Sequence, residues 1–203
     1  MPSAPAIAVL VLNYNGRDHL ATCLPSLEAL TYPNRTLVVV DNGSTDGSQE
    51  FVARAHPGVQ VQAIGRNLGF AAGYNFAVHE SAAEWVAILN NDTRVAPDWL
   101  DALAAAAVRH DATVVASRML DWDGERVDFD GGLTSLEGHS WQVHNGDPAS
   151  VPVAERPLLF ACAGAMLVRR DAFLDAGGFD EDYFAYFEDV DLGWRLWLSL
   201  IHI

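Results

Sequence analysis

Lysine is absent from this chain of 203 residues, and all 12 of its basic residues are arginines. A phosphate-loop NTPase needs a lysine against its phosphates, and a Schiff-base enzyme needs a lysine amine. Protein kinases of the usual type also depend on a lysine. The missing lysine therefore excludes these three classes of enzyme.

Cysteine is scarce and long apolar runs are missing. Only Cys23 and Cys162 are present, without a CxxC pair or an HExxH sequence, which excludes a disulfide scaffold and a standard zinc site. No apolar stretch reaches the ~18 residues that a membrane-spanning helix needs, and the first apolar run lacks the basic residues of a signal peptide. We therefore expect a protein of the reducing cytosol without a transmembrane segment.

Positive charge is scarce as well. The 12 basic residues stand against 27 Asp and Glu, which gives a net charge of −15. Such a surface repels a polyphosphate backbone, so nucleic acid is not expected as a partner. Half of the residues are hydrophobic (50%), which is enough to build the core of a single globular domain.

Apolar segments alternate with amphipathic ones over the first 90 residues. Strands are predicted at residues 6–12, 37–40, 59–64 and 85–89, and helices at residues 17–30, 46–55 and 69–81, with Pro25 expected to kink or divide the first helix. This alternation is typical of a three-layer α/β domain with a mostly parallel sheet.

The second half is less regular. A helix at residues 97–110 and a strand at residues 113–117 extend the α/β unit, whereas residues 121–157 are rich in Gly, Asp, His and Ser and predict a loop or an irregular hairpin region. An apolar segment, residues 158–168, follows. Aromatic and acidic residues then come together in residues 183–191, just before a tryptophan-rich helix.

Polar clusters follow three of the predicted strands. Asn13 and Asn15 follow the first strand, Asp41 the second, and Asn90 with Asp92 the fourth. Ligands of parallel sheets bind outside the carboxyl ends of the strands, so this convergence predicts a site.

Asp92 lies in the sequence ILNNDT, at the end of a strand. A carboxylate flanked by amide oxygens offers hard ligands for Mg²⁺ or Mn²⁺, which would neutralise a diphosphate. The alternative is a simple turn, because Asn and Asp commonly begin turns.

Two further segments allow a functional and a structural interpretation. Asp41 could accept a hydrogen bond from a nucleobase or ribose, or could cap the next helix. Arg66 and Asn67 open a segment with glycine at every fourth position, which suits either a close approach to a phosphate or helix packing.

The acidic residues around YFEDVD also have two interpretations. Carboxylates held among aromatic side chains tend to have raised pKa values and suit a general base. Alternatively, they form the solvated start of a helix, with Asp191 and Arg195 paired one turn apart.

Six motifs in series carry a resemblance to a known family. LNYNG, VVVDNGSTDGS, RNLGFAAGYN, ILNNDT, GAMLVRRDAF…GGFDE and YFEDVDLGWR, in this order, resemble glycosyltransferase family 2 in its bacterial rhamnosyltransferase-like branch, and they cover nearly all of residues 7–195. The resemblance implies a GT-A fold, a nucleotide-diphosphate-sugar donor, a divalent metal (Mn²⁺ or Mg²⁺) and an inverting single displacement.

The resemblance also implies roles for residues of the first half. Asp41 would contact the base, Asn13 and Asn15 would line the nucleotide pocket, and Arg66 with Asn67 would lie against the nucleotide or diphosphate. Asn90 would lie near the ribose and Asp92 would bind the metal. An Asn at position 90 departs from the family's Asp-x-Asp motif and removes one negative charge.

In the second half, the resemblance implies that Asp189 is the catalytic base, with Glu188 as the alternative. Cys162, Ala163 and Gly164 would shape the donor-sugar and acceptor pocket without acting as nucleophiles. Residues 1–117 would form the nucleotide-binding half of a single domain, and residues 118–203 the donor-sugar and acceptor half.

The implied function is sugar transfer from dTDP-rhamnose or a UDP-sugar to a glycan or a lipid-linked acceptor in bacterial surface polysaccharide synthesis. The implied location is the cytoplasm, including the inner face of the plasma membrane. The alternatives are a catalytically weak nucleotide-sugar binding fragment and, with a poorer fit, a sugar-phosphate nucleotidyltransferase. Family members continue beyond GWR, so the sequence after Arg195 is interpreted as a C-terminal truncation with a non-native tail that leaves the second half incomplete.

Overall fold

A computed structural model describes residues 4–135 and 137–199 of the chain. The strands are β1 (Ile7–Asn13), β2 (Arg35–Asp41), β3 (Gln60–Ala63), β4 (Trp85–Asn90), β5 (Val114–Ala116), β6 (Met119–Leu120), β7 (Val127–Phe129), β8 (Gly132–Thr134), β9 (Ser140–Gln142) and β10 (Ala165–Arg169). The helices are α1 (Arg17–Glu28), α2 (Ser48–Ala55), α3 (Phe70–Glu80), α4 (Trp99–His110), α5 (Arg170–Asp175) and α6 (Glu188–Leu198), with a 3₁₀ turn at Glu181–Tyr183.

Six strands form the central sheet in the order β3-β2-β1-β4-β10-β5. β1 pairs in parallel with both β2 and β4, and β2 pairs in parallel with β3. β10 is antiparallel to both of its neighbours, β4 and β5. The predicted mostly parallel sheet is confirmed, and its antiparallel strand comes from the second half of the chain.

Helices cover both faces of this sheet, because its central strands are buried on both sides. On one face, Leu24 of α1, Val52 of α2 and Leu100 of α4 pack against strand residues in one apolar cluster. On the other face, a second cluster contains Tyr74 of α3 and Leu196 of α6. The predicted three-layer α/β arrangement is therefore confirmed.

Pro25, expected to kink or divide the first helix, does not divide it, because α1 runs without interruption from Arg17 to Glu28. Proline cannot donate a hydrogen bond to the carbonyl four residues earlier, which belongs to Ala21. Both Ala21 and Pro25 are exposed, so water can reach the carbonyl that lacks its helical partner. The opposite face of α1 buries Leu20, Leu24 and Leu27, and their packing holds the helix in one piece.

Outside the central sheet, β6 lies just before the segment predicted as a loop or irregular hairpin region (residues 121–157), and β7, β8 and β9 lie within it. β6 pairs with β7 and β8 pairs with β9, all antiparallel. Within residues 4–135 and 137–199, no helix is long and apolar enough to cross a bilayer. The tail interpreted as non-native begins inside α6, and its last residues, 200–203, lie outside the described residues.

Candidate functional site

Three polar strand ends meet at one edge of the sheet. The register places Asn13 at the end of β1 opposite Asp41 at the end of β2. On the other side of β1, Leu12 lies opposite Asn90, the last residue of β4. The structure thus brings together the polar clusters that the sequence predicted to converge.

Asn13 holds the loops after these strands together. It is fully buried, its Nδ2 donates a hydrogen bond to Ser44 Oγ at 3.2 Å, and its Oδ1 accepts one from Asn91 Nδ2 at 2.8 Å. Gly16 lies so close that an added Cβ would be 2.2 Å from Asn91 Nδ2. Asn13 is thus a buried link between loops, beneath the surface of the site.

Asn15 belongs to the same arrangement from the solvent side. Its backbone is left-handed (φ 52°), and its side-chain Oδ1 accepts a hydrogen bond from the N–H of Thr45 at 2.8 Å. Its own N–H donates to Ser44 Oγ at 2.9 Å. Asn15 therefore ties the loop after β1 to the loop after β2.

Asp41 is fully buried at the end of β2. Its Oδ2 accepts hydrogen bonds from the N–H of Ser44 at 3.0 Å and from Gln49 Nε2 at 2.8 Å. Its Oδ1 has no hydrogen-bond partner among the described residues. One oxygen thus orders the loop, and the other is a buried acceptor without a partner among the described residues.

A second amide cluster fixes the segment before α3. The Nδ2 of Asn42 donates to Asn67 Oδ1 and to the carbonyl of Gly69, both at 3.0 Å, and its Oδ1 accepts from the N–H of Leu68 at 2.9 Å. The exposed Arg66 passes over Gly43, where an added Cβ would be 2.7 Å from the Arg66 Cα. Only glycine fits at position 43, which also has a φ of 85°.

A cavity of about 990 Å³ opens at this edge of the sheet. Its lining combines the end of β4, the segment before α3, the second hairpin and the start of α6. Eight of the predicted site residues line it: Asn67, Asn90, Asp92, Cys162, Ala163, Gly164, Glu188 and Asp189. Asn13, Asn15, Asp41 and Arg66 lie outside the cavity lining, where the first three order the neighbouring loops.

Asp92 is an exposed carboxylate on the β4 side of this cavity. Within residues 4–135 and 137–199, no three His, Cys, Asp or Glu side chains converge as a metal site. A single carboxylate still fits Mg²⁺ or Mn²⁺ when a diphosphate and water provide the remaining oxygens. The donor set here therefore suits a cation that arrives with a phosphorylated ligand.

Asp189 lies on the opposite side, in the first turn of α6. Its Oδ2 accepts a hydrogen bond from the N–H of Ala163 at 3.1 Å, and its Oδ1 accepts one from the N–H of Val190 at 2.8 Å. Burial raises the pKa of this carboxyl above its usual range, although these backbone hydrogen bonds oppose the rise. The side chain is thus held in one orientation at the cavity wall.

Glu188 is more deeply buried, with only 5% of its surface exposed. Burial, together with the nearby charge of Asp189, raises the pKa of Glu188 from 4.5 to about 7. Its Oε2 has no hydrogen-bond partner among the described residues. The two adjacent carboxyls therefore differ: Asp189 is oriented by hydrogen bonds, whereas Glu188 has a free oxygen and a nearly neutral pKa.

Residues 162–164 form the wall next to Asp189. Burial raises the pKa of the Cys162 thiol to about 12, so the thiol stays protonated at neutral pH. The carbonyl of Gly164 accepts a hydrogen bond from the N–H of Asn90 at 3.0 Å, which joins this wall to the end of β4. These contacts suit a shaping role and do not suit a nucleophilic one.

The cavity also contains residues that the sequence did not single out. Asp128 of β7, Trp141 and Gln142 of β9, and Asn145 of the following turn line it. Their strands are only three residues long and lack a periodic pattern, so the one available signal was their polar composition. Phe184, Tyr186 and Phe187, which stand beside the acidic residues in the sequence, line it too.

The comparisons with known proteins agree on one family. The sequence profile described as "Glycosyl transferase family 2" matches residues 8–177. A Mycobacterium tuberculosis protein named N-acetylglucosaminyl-diphospho-decaprenol L-rhamnosyltransferase is 32% identical over 222 residues, covering 96% of this chain and 72% of that protein. The O-antigen biosynthesis protein RfbC of Myxococcus xanthus is 30% identical over 205 residues, covering 95% of this chain but only 16% of that protein.

Solved structures share the fold at lower identity. Staphylococcus aureus TarS 1–349 in complex with UDP-GlcNAc superposes with a TM-score of 0.72 at 20% identity, over 96% of this chain and 54% of that one. The mannosyltransferase PcManGT of Pyrobaculum calidifontis, in complex with GDP-Man and Mn²⁺, gives a TM-score of 0.65 at 20% identity, over 94% of this chain and 51% of that one. The chain thus spans about half the length of these structures.

Proposed function

The chain belongs to glycosyl transferase family 2, and we propose that it transfers a sugar, with inversion, from a nucleotide-diphosphate donor to a hydroxyl of a glycan or lipid-linked acceptor. One observation carries the proposal: Asp92 from the end of β4 and Asp189 from the start of α6 line the same cavity. A donor diphosphate near the first and an acceptor hydroxyl near the second would meet there.

In the proposed reaction, Asp189 is the general base. It takes the proton of the acceptor hydroxyl while that oxygen forms a bond to the anomeric carbon and the bond from this carbon to the diphosphate oxygen breaks. The hydrogen bonds from Ala163 and Val190 would hold the carboxylate ready for this proton. Because attack and departure take place on opposite faces of the carbon, the configuration inverts.

The charge of the cavity supports a metal requirement. Its lining contains the carboxylates of Asp92, Asp128, Glu188 and Asp189, and no arginine or histidine among the described residues. A diphosphate in such a site needs a cation to balance its charge. Asp92 would hold Mg²⁺ or Mn²⁺ against the diphosphate, and the metal would supply stabilisation of the charge that grows on the leaving group.

The nucleotide would lie over the ends of β1, β2 and β4, in the half formed by residues 1–117. Asp41 would contact the base from beneath this surface, Asn90 would lie near the ribose, and Arg66 with Asn67 would adjoin the diphosphate. Residues 118–203 would supply the walls for the donor sugar and acceptor. The likeness to an L-rhamnosyltransferase favours dTDP-rhamnose as donor, and the likeness to a UDP-GlcNAc complex favours a UDP-sugar.

We place this activity in bacterial surface polysaccharide synthesis, in the cytoplasm at the inner face of the plasma membrane, where a lipid-linked acceptor is accessible. The test is an assay with dTDP-rhamnose, UDP-glucose and UDP-GlcNAc, a synthetic N-acetylglucosaminyl-diphospho-lipid and Mn²⁺. We expect release of the nucleoside diphosphate with one donor. NMR of the glycosidic product should show that the anomeric configuration is inverted relative to the donor. A product that keeps the donor's configuration would contradict the single displacement.

A nucleotide-sugar binding protein with weak catalysis is the second candidate. The asparagine at position 90 favours it, because this residue offers the metal no second carboxylate. Binding of nucleotide and Mn²⁺ without release of nucleoside diphosphate from any donor in the same assay would support this candidate and overturn the first.

A further inference from the structure

One wall of the cavity carries polar atoms that the proposed reaction does not use. Asn145 Nδ2 donates hydrogen bonds to the carbonyl of Asp128 at 2.6 Å and to Gln142 Oε1 at 2.9 Å. These bonds fix both amide groups and leave Gln142 Nε2 as a donor and Asn145 Oδ1 as an acceptor without partners among the described residues. A fixed donor beside a fixed acceptor suits a hydroxyl, which can accept from one and donate to the other.

Another part of the lining is an aromatic segment, residues 184–187. The side chains of Phe184, Tyr186 and Phe187 are 59%, 82% and 60% exposed. All three residues have positive φ angles, of 54°, 72° and 69°, although none is glycine. Such strain persists where the surrounding structure imposes it, and it concentrates at functional sites.

The aromatic segment is anchored to α3. The carbonyl of Phe184 accepts hydrogen bonds from the N–H groups of Phe70 at 2.7 Å and Ala71 at 3.3 Å. Its ring lies against Gly69, where an added Cβ would be 2.6 Å from the ring. The aromatic segment is therefore anchored at Phe184, its first residue, which favours a preorganised binding surface.

Both features lie in the cavity that Asp189 lines. The aromatic segment ends one residue before α6, whose second residue is Asp189. On the other side, Gln142 lies opposite Gly132, and Gly132 forms a bridge to Phe160, three residues before Ala163. Neighbouring strands are about 4.8 Å apart. Gln142 is therefore within roughly two strand spacings of the segment before Ala163, whose N–H contacts Asp189.

We propose that the aromatic segment and the amides of Gln142 and Asn145 form an acceptor subsite for an uncharged pyranose ring. The apolar face of the ring packs on the aromatic side chains, and its hydroxyls bond to Gln142 Nε2 and Asn145 Oδ1. The acidic lining excludes uronic acids by repulsion. This inference rests on the proposed function, because it treats Asp189 as the base that faces the acceptor.

The test is saturation-transfer NMR on the 203-residue chain with dTDP or UDP and the diamagnetic ion Mg²⁺ present. The probes are methyl glycosides of a neutral hexose, a 6-deoxyhexose, an N-acetylhexosamine and a uronic acid. We expect a signal from at least one neutral glycoside and none from the uronic acid. Tyr186→Ala should reduce that signal about fivefold or more, and Gln142→Ala about two- to tenfold.

Matched controls separate the subsite from general surface effects. Tyr183→Ala removes a tyrosine that is 41% exposed and does not line the cavity, and Gln60→Ala removes an exposed amide on β3. Both controls should bind as the unaltered chain does. Because Tyr186 is 82% exposed, its replacement should leave the melting temperature unchanged.

Three results would overturn the subsite: no signal from any neutral glycoside, an undiminished signal in both cavity variants, or equal binding of the uronic acid. The chain could instead sediment with phosphatidylcholine–phosphatidylglycerol vesicles, lose this sedimentation in Tyr186→Ala, and give no glycoside signal. That result would show that the aromatic segment binds lipid and not a saccharide. Nucleotide binding is measured on the same samples by thermal shift. Its absence alongside glycoside binding would refute the proposed function and leave the saccharide subsite standing.

Discussion

The carboxylate of Asp189 accepts a hydrogen bond from the backbone N–H of Ala163 at 3.1 Å, which ties the start of α6 to the segment that precedes β10. Because β10 pairs directly with β4, this bond links Asp189 to the strand that ends in Asn90. The two sides of the cavity are thus parts of one rigid framework. A carboxylate held in this way needs no rearrangement before it accepts a proton, as the proposed role of Asp189 requires.

Asp189→Asn should lower the transfer rate at least about a hundredfold, because an amide cannot take the proton of the acceptor. Nucleotide binding should not change, since the substitution leaves the β4 side of the cavity intact. The measurement is release of nucleoside diphosphate together with a nucleotide titration. Asp182→Asn alters an exposed carboxylate of the 3₁₀ turn outside the cavity lining and should retain transfer.

Glu188 should make the protein less stable as the pH rises. Its pKa in the folded chain, about 7, exceeds the ordinary value of 4.5, so the folded state binds more protons than the unfolded state between these values. Its contribution is fully present below pH 4.5 and is lost as the pH rises to about 7, by about 3 kcal/mol in unfolding free energy. Urea unfolding at several pH values should show this decline, and Glu188→Gln should reduce it, because the raised pKa of Asp189 contributes a decline of the same sign. An unchanged decline in the variant would refute the assignment.

Asn13→Ala should destabilise the fold by about 1–3 kcal/mol, because Asn91 Nδ2 loses its acceptor and Ser44 Oγ loses its donor. Urea unfolding measures the change. The control is Asn34→Ala, which removes an exposed amide that donates to the carbonyl of Ala4, and it should cost less than about 1 kcal/mol. Equal costs for the two variants would show that the buried link between loops is unimportant.

Cys162→Ser should retain transfer, because a thiol with its pKa raised to about 12 is not a nucleophile at neutral pH. Iodoacetamide should react slowly with Cys162 at neutral pH, as measured by mass spectrometry of the alkylated peptide. Rapid alkylation together with complete loss of transfer in the serine variant would indicate a thiolate with a chemical role.

The fold was predictable where the strands are long and apolar. β1 and β4 read as buried strands because almost every residue from Ile7 to Leu12 and from Trp85 to Leu89 is hydrophobic. The place of β10 was not predictable, because its pairing joins residues 165–169 to residues 85–89 across a long stretch of chain. Local patterns carry no information on such a contact or on its antiparallel direction.

The lining of the cavity was predictable in part. Asp92 and Asp189 stand in recognisable motifs. Gln142 and Asn145 lie in a short strand and a turn, where polar residues are common whether or not they bind a ligand. The sequence also cannot distinguish a residue that lines a cavity from one beneath it. Asn13 and Asp41 illustrate this, because both stand at strand ends as predicted and both are fully buried.

The central claim is that a nucleotide diphosphate and a metal bind on the Asp92 side of the cavity. Calorimetric titration with dTDP and UDP, each with and without Mn²⁺, tests this claim most directly. The titrations use the unaltered chain, Asp92→Asn and a control, Asp98→Asn. The exposed carboxylate of Asp98 lies outside the cavity lining. We predict metal-dependent binding that weakens at least about tenfold, ~1.4 kcal/mol, in Asp92→Asn and is unchanged in the control. Binding that is independent of Mn²⁺, or that is equally tight in Asp92→Asn, would contradict the account.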